Sequence, residues 1–167
     1  SPTPLESRVA GMDMLYSSGT TGRPKGVLPT VPETTLEESG TGVAGLLALL
    51  FGANEESRYL SPAPLYHAAP LRFTMGTHVT GGTVVVMERF DPVDYLRLIE
   101  EQRITISQVV PTMFVRMLKL DDDTRSKYDV SSLKACIHAA APCPVEVKRK
   151  MIDWWGPVIH EYYAGTE

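Results

Sequence analysis

Cysteine is scarce: Cys136 and Cys143 are the two in 167 residues, too few for a disulfide framework and without the paired spacing of a zinc site. Both read as free thiols of a reducing compartment. The four histidines, His67, His78, His138 and His160, are scattered rather than spaced as metal ligands. Basic charge is short as well. Sixteen Lys and Arg against twenty Asp and Glu leave a net charge of -4, which provides no positive field to hold a phosphate backbone by counterion release and argues against a nucleic-acid partner. Long apolar runs are missing: the longest, residues 42–53, falls well short of the ~20 residues that span a bilayer. The Ser-Pro-Thr-Pro start carries no charged region ahead of an apolar one. No transmembrane segment is expected, and the chain reads as soluble, unsecreted and cytoplasmic. Repeats and low-complexity tracts are absent, and the one acidic cluster, Asp121-Asp122-Asp123, is expected in a solvated turn. What remains is an ordinary globular composition, 43% hydrophobic and 22% charged, at a length that buries about two thirds of the unfolded surface.

Glycine and proline punctuate the chain into alternating elements. A short strand over 12–16 runs into a Gly/Ser/Thr-rich loop over 17–26, and 31–39 is ambiguous. The apolar run 43–51 is too long for most strands and is expected as a buried helix. A strand starts at 59 and breaks at Pro62 and Pro64; 71–79 is expected as a helix, and Gly81-Gly82 turns into a β-branched strand over 83–87. Asp91 is a good N-cap and Pro92 sits where its missing N–H costs nothing, so 92–102 should be helical. Strand 104–110, helix 112–119, strand 133–139, helix 145–155 and strand 158–162 follow. This alternation predicts an α/β fold with a mostly parallel β-sheet and helices on both faces.

In such sheets ligands bind beyond the carboxyl ends of the strands, where loops and helix N-termini present free N–H groups. The unusual residues fall in four loops expected to converge on that rim. In the first, Ser17-Ser18-Gly19-Thr20-Thr21-Gly22-Arg23-Pro24-Lys25-Gly26, glycines permit close backbone approach, hydroxyls donate and Lys25 adds positive charge. This is phosphate-cradling chemistry. It is not the P-loop of the NTPases, because Lys25 follows Pro24 and precedes Gly26 rather than Ser or Thr. The last loop offers Tyr163 as an aromatic face, Thr166 as a hydroxyl and Glu167 as the carboxylate that a nucleotide's divalent cation requires. Taken alone, Tyr163 serves equally well as a core residue, Glu167 as a solvated acid and His67 as a hydrogen-bonded core or rim histidine.

The run Tyr16-Ser17-Ser18-Gly19-Thr20-Thr21-Gly22-Arg23-Pro24-Lys25-Gly26 resembles the signature loop of the adenylate-forming (AMP-binding) superfamily, of the acyl-CoA synthetase or long-chain fatty-acid–CoA ligase type. Weaker matches follow in the family's order: Pro64-Leu65-Tyr66-His67, Val109 to Phe114, His138 to Pro144, and Tyr163-Ala164-Gly165-Thr166-Glu167. The resemblance covers residues 15–167 and implies the large N-terminal domain of such an enzyme, with a lead-in over 1–14, a phosphate loop over 15–26 and an α/β part over 27–167. It implies that Ser17, Ser18, Gly19, Thr20, Thr21, Gly22 and Lys25 wrap the β- and γ-phosphates of ATP. Ala140, Ala141 and Pro142 would contact adenine with Tyr163 stacked on it, Thr166 would touch the α-phosphate, and Glu167 would hold Mg²⁺. His67, beside Tyr66, would orient the carboxylic acid substrate. The implied activity joins a carboxylic acid, fatty or aryl, to AMP and then to the thiol of coenzyme A.

Departures from the family pattern lie around the expected adenine and acyl positions. Ala139-Ala140 stand where glycines are usual, Ala164 replaces the glycine after the stacking tyrosine, and Tyr162 replaces a common glycine, so its ring would shorten or reshape the acyl pocket. The chain starts without Met and stops bluntly after Glu167, as expected of a piece of a longer ligase that lacks the C-terminal domain and would be inactive alone. Two other readings remain. One is a peptide-synthetase adenylation domain, which would call for an acid near His67 to pair an ammonium, and none stands there. The other is a non-catalytic nucleotide-binding module, against which the joint presence of Lys25, Thr166 and Glu167 argues.

Overall fold

A computed structural model of the chain describes residues 11, 13–17, 22–28, 30–31, 33, 35 and 42–164. Its centre is a five-stranded parallel sheet in the order β4-β3-β5-β6-β7, formed by Arg58–Ser61 (β3), Thr83–Val86 (β4), Ile106–Val109 (β5), Ala135–His138 (β6) and Ile159–Glu161 (β7). Helices cover both faces, as the alternation predicts. Val43–Phe51 (α1) and Ala68–Val79 (α2) share a core with Tyr59, Ile106, Ala135 and Ile137. Pro92–Glu101 (α3), Pro111–Leu118 (α4) and Val145–Trp155 (α6) share the opposite one with Leu60 and Cys136. Tyr59 and Leu60 thus face opposite ways, as the two-residue period of a strand requires. The central strands β5 and β6 are buried along their whole length, as strands covered by helices on both faces must be, and they bury the polar Ser107, Gln108 and His138 with their apolar neighbours.

Local chemistry fixes the helix ends. The Asp91 carboxylate accepts from the N–H groups of Val93 and Asp94, both at 3.0 Å, and Pro92 fills the first helical position. Asp121 accepts from the Thr124 N–H at 2.8 Å. That bond makes the acidic cluster the cap and first turn of a short helix, Asp122–Ser126 (α5); the three aspartates are solvated as expected, on a helix end rather than in a turn. Helix α2 begins at Ala68, three residues ahead of the expected start, because proline is tolerated in a first turn and Pro70 does not delay it. The expected burial of α1 holds for one side only. Ala44 and Leu47 are in the core, while Leu46, Leu49 and Leu50 are exposed, Leu49 at 81%.

The largest departure concerns the first strand. Leu15–Ser17 (β1) does not join the parallel sheet; it pairs antiparallel with Lys25–Val27 (β2) in a separate two-stranded hairpin. Lys25 and Gly26 therefore belong to a strand rather than to the loop expected over 17–26.

Several buried polar groups sit within the central strands β5 and β6. Ser107 Oγ donates to the Leu60 carbonyl at 2.8 Å, and burial pushes the Cys136 thiol up to about 12, which keeps it protonated and inert. His138 is fully buried with neither ring nitrogen hydrogen-bonded, edge-on to Phe114 with ring centroids 5.4 Å apart. Burial, and next the Lys148 ammonium, hold its imidazole below the ordinary histidine range, partly offset by Glu161.

Two predictions follow from this packing. A Cβ on Gly82 would lie 2.8 Å from the Ser57 carbonyl oxygen and 3.2 Å from that of Asn54, both backbone atoms that cannot rotate away. Gly82→Ala should cost about 1–3 kcal/mol in urea denaturation, and a change below about 0.5 kcal/mol would contradict the close approach. For His138, the unfolded chain binds the proton first as pH falls, so stability should decline below about pH 6.5 and level off beneath the lowered folded value. His138→Leu should flatten that decline in urea midpoints taken between pH 7.5 and 5.5; an unchanged slope would contradict it.

Candidate active site

Parallel pairing puts the carboxyl ends of β3, β5, β6 and β7 on one rim, and the candidate residues leave from those ends. After β3, Pro62 and Pro64 break the strand and the chain turns into α2 with His67 as its N-cap residue. The His67 N–H donates to the Pro64 carbonyl and its own carbonyl accepts from the Leu71 N–H, both at 3.1 Å. Its side chain makes no capping bond; the imidazole is exposed, with its ring centroid 4.4 Å from that of Tyr66. It is thus available to a ligand.

After β6 the chain passes through Ala139, Ala140, Ala141 and Pro142 to α6. Ala140 is exposed and has φ +72°, left-handed backbone that costs an L-residue about 1–2 kcal/mol and glycine nothing. The turn explains why a glycine would serve at this position. Ala141 and Pro142 are exposed beside it. The loop after β7 runs alongside, held by the Tyr162 N–H donating to the His138 carbonyl at 3.2 Å. Tyr163 next to it is fully exposed, with its whole ring face open. A planar group lying against residues 140–142 would find an aromatic face one strand away.

The phosphate-loop candidates divide. Ser17 and Lys25 face each other across the hairpin, and Gly22, at φ +86°, takes a turn conformation that suits glycine. Lys25 is exposed, and the Ser17 hydroxyl is buried without a hydrogen-bond partner. An orphaned hydroxyl opposite an exposed ammonium fits an anion such as a phosphate. Ser18, Gly19, Thr20 and Thr21 lie outside the described residues, as do Gly165, Thr166 and Glu167. Among the described residues no group of three or more His, Cys, Asp or Glu could hold a metal ion, and no helix is long and apolar enough to cross a membrane.

The structure adds residues that the motifs do not mark. Phe73 of α2 is one: Tyr162, already marked as a departure from the family pattern, is half-buried and stacks on it, with centroids 6.1 Å apart and ring planes at 29°. Burial raises its phenol pKa, and the Arg72 guanidinium partly offsets that. Glu161 pairs with Lys148 of α6 and lies 4.0 Å from His138 Nδ1; the Lys148 ammonium holds its carboxyl below the usual range. The parallel register sets His138 opposite Glu161, a juxtaposition visible only in space. Nothing in the sequence pattern marks Phe73 or Arg72.

Known proteins match this arrangement over most of its length. The AMP-binding enzyme family matches residues 9–167. The chain is 36% identical over 155 residues to the medium/long-chain-fatty-acid–CoA ligase FadD8 of Mycobacterium tuberculosis, covering 92% of this chain and 25% of that protein. Among solved structures, the amide bond synthetase McbA from Marinactinospora thermotolerans superposes with a TM-score of 0.77 at 25% identity, over 90% of this chain and 28% of McbA. O-succinylbenzoate coenzyme A synthetase from Bacillus subtilis, in complex with AMP, gives 0.75 at 28% identity over 92% and 30%. The chain therefore spans between a quarter and a third of the length of these three proteins. With the family's match running from residue 9 to the last residue, the chain belongs to the AMP-binding enzymes.

Proposed function

We propose that this chain is the ATP-facing part of an acid–CoA ligase. In the proposed reaction an oxygen of the substrate carboxylate attacks the α-phosphorus of ATP, the bond to the β-phosphate oxygen breaks and pyrophosphate leaves. The sulfur of coenzyme A then takes the acyl carbon, gives up its proton and expels AMP. The observation that carries this reading is the shared rim: His67, the loop over 139–142 and Tyr163 all leave carboxyl ends of one parallel sheet, in a chain of this family. The acyl-CoA ligases among its relatives support the thiol as acceptor.

A carboxylate approaching a polyanion must be held in line while phosphate charge is neutralised, so positioning and electrostatics carry the catalysis. In our reading Ser17, Ser18, Gly19, Thr20, Thr21, Gly22 and Lys25 bind the β- and γ-phosphates through N–H groups, hydroxyls and an ammonium. Ala140, Ala141 and Pro142 contact the adenine, Tyr163 stacks on it, and Thr166 donates to the α-phosphate. His67 orients the carboxylate. Glu167 would hold a magnesium ion, which supplies further neutralisation of phosphate charge. Phe73 lies six residues beyond His67, about 9 Å of helix rise, and the Tyr162 ring stacks on it. That wall favours a compact acid, aryl or of moderate chain length.

The decisive assay is acid-dependent exchange of pyrophosphate into ATP by the intact enzyme. Aryl or moderate-length fatty acids should support it, followed by CoA-thioester formation; exchange with amino acids alone would overturn the reading. Lys25→Ala removes a charge-assisted contact of about 1.5–3 kcal/mol and should raise the KM for ATP by roughly 10- to 150-fold; an unchanged KM would contradict the phosphate role. Glu167→Gln should depress exchange far more than thermal stability, and equal losses would count against a metal role. Tyr162→Gly should shift the preferred acid to longer chains, and an identical chain-length profile would remove Tyr162 from the acid site.

A further inference from the structure

Arg72 stands on α2 where three parts of the candidate site meet. Its Nε donates to Asp13 Oδ2 at 2.9 Å, across 59 positions of sequence. Asp13 lies two residues ahead of β1, so this bond ties the base of the hairpin carrying Ser17 and Lys25 to the helix that begins after His67. The Arg72 charge also reaches the Tyr162 phenol, at the strand end that leads to Tyr163. The hairpin needs such a tie, because its strands are three residues each and an isolated two-stranded hairpin is marginal in water. The two side chains are 37% and 20% exposed, which shields them from salt more than a free surface pair.

We infer that Arg72 is a positioning residue: paired with Asp13, it fixes the phosphate-binding hairpin against the acid-binding helix, so that triphosphate and carboxylate meet in one geometry. This rests on the adenylation reading above. In-line attack tolerates little displacement, so a hairpin free to drift by an ångström would weaken ATP binding and misalign the reacting atoms.

The test uses the intact enzyme containing this chain, with Arg72→Met, Asp13→Asn and the charge-swapped Asp13→Arg/Arg72→Asp pair. Each single variant should raise the KM for ATP about fivefold, leave the KM for the acid within twofold, and speed amide hydrogen exchange in residues 15–27 while β5 and β6 stay protected. The swap should restore both readouts to within twofold of wild type. Unchanged exchange in 15–27 for both single variants, loss of protection spread evenly over the sheet, or a swap no better than the single variants would overturn the inference. Absence of pyrophosphate exchange in the wild type with every acid would sink the adenylation reading alone, because hydrogen exchange still decides whether Arg72 holds the hairpin.

Discussion

The ladder that sets Gln108 against Ile137, Val109 against His138 and His138 against Glu161 runs parallel throughout. Parallel strands must all end on the same side, and the chain between two of them must travel back along the sheet, here as a helix. From that constraint comes the position of every candidate group on the sheet body. His67 follows β3, Ala140 follows β6, Tyr163 follows β7, and each begins where a ladder stops and free backbone groups start. The two cores exist to hold the ladder: Tyr59, Phe73 and Ile137 on one side, Leu60, Phe114 and Met151 on the other. Burying each of the apolar side chains among these contributes about 1.5–3 kcal/mol, and strands covered on both faces have no solvated side on which to slip register.

The hairpin obeys a different rule. It shares no strand pairing with the sheet, and the Arg72–Asp13 bond ties its base to α2. That division suits the proposed chemistry. In the proposed reaction a rigid body would present the loop over 139–142 to the base and α2 to the acid, while a separately anchored hairpin would bring the charge that phosphates demand. Ala140 shows that the rim carries strain as well. An alanine at φ +72° where glycine would sit freely is tolerated because the ladder through His138 and the bond from the Tyr162 N–H hold the turn in place.

Much of this was legible in the residues. Asp91-Pro92 announces α3, the expected helix over 145–155 matches α6 to the residue, and the alternation of elements implies a parallel sheet with helices on both faces. The signature loop alone points to phosphate binding and to the family. The misreadings have physical causes. A strand leading into a glycine-rich loop looks the same whether it enters a parallel sheet or turns back on itself, and the pairing of Ser17 with Lys25 is visible only in space. The apolar sequence of α1 promises burial all round, yet only its Ala44 and Leu47 side packs, against α2. Arg72 and Phe73 lie in an undistinguished helix and gain their meaning from Asp13 and Tyr162, far away in sequence.

In the proposed arrangement one nucleotide lies across the rim, with its base at β6 and β7 and its phosphates at the hairpin. A structure of the intact enzyme with a non-hydrolysable ATP analogue tests it most directly. The account predicts adenine between the backbone of residues 140–142 and the Tyr163 ring, with the terminal phosphates within hydrogen-bond reach of Ser17 and Lys25. A nucleotide bound elsewhere, or phosphates directed away from the hairpin, would contradict it.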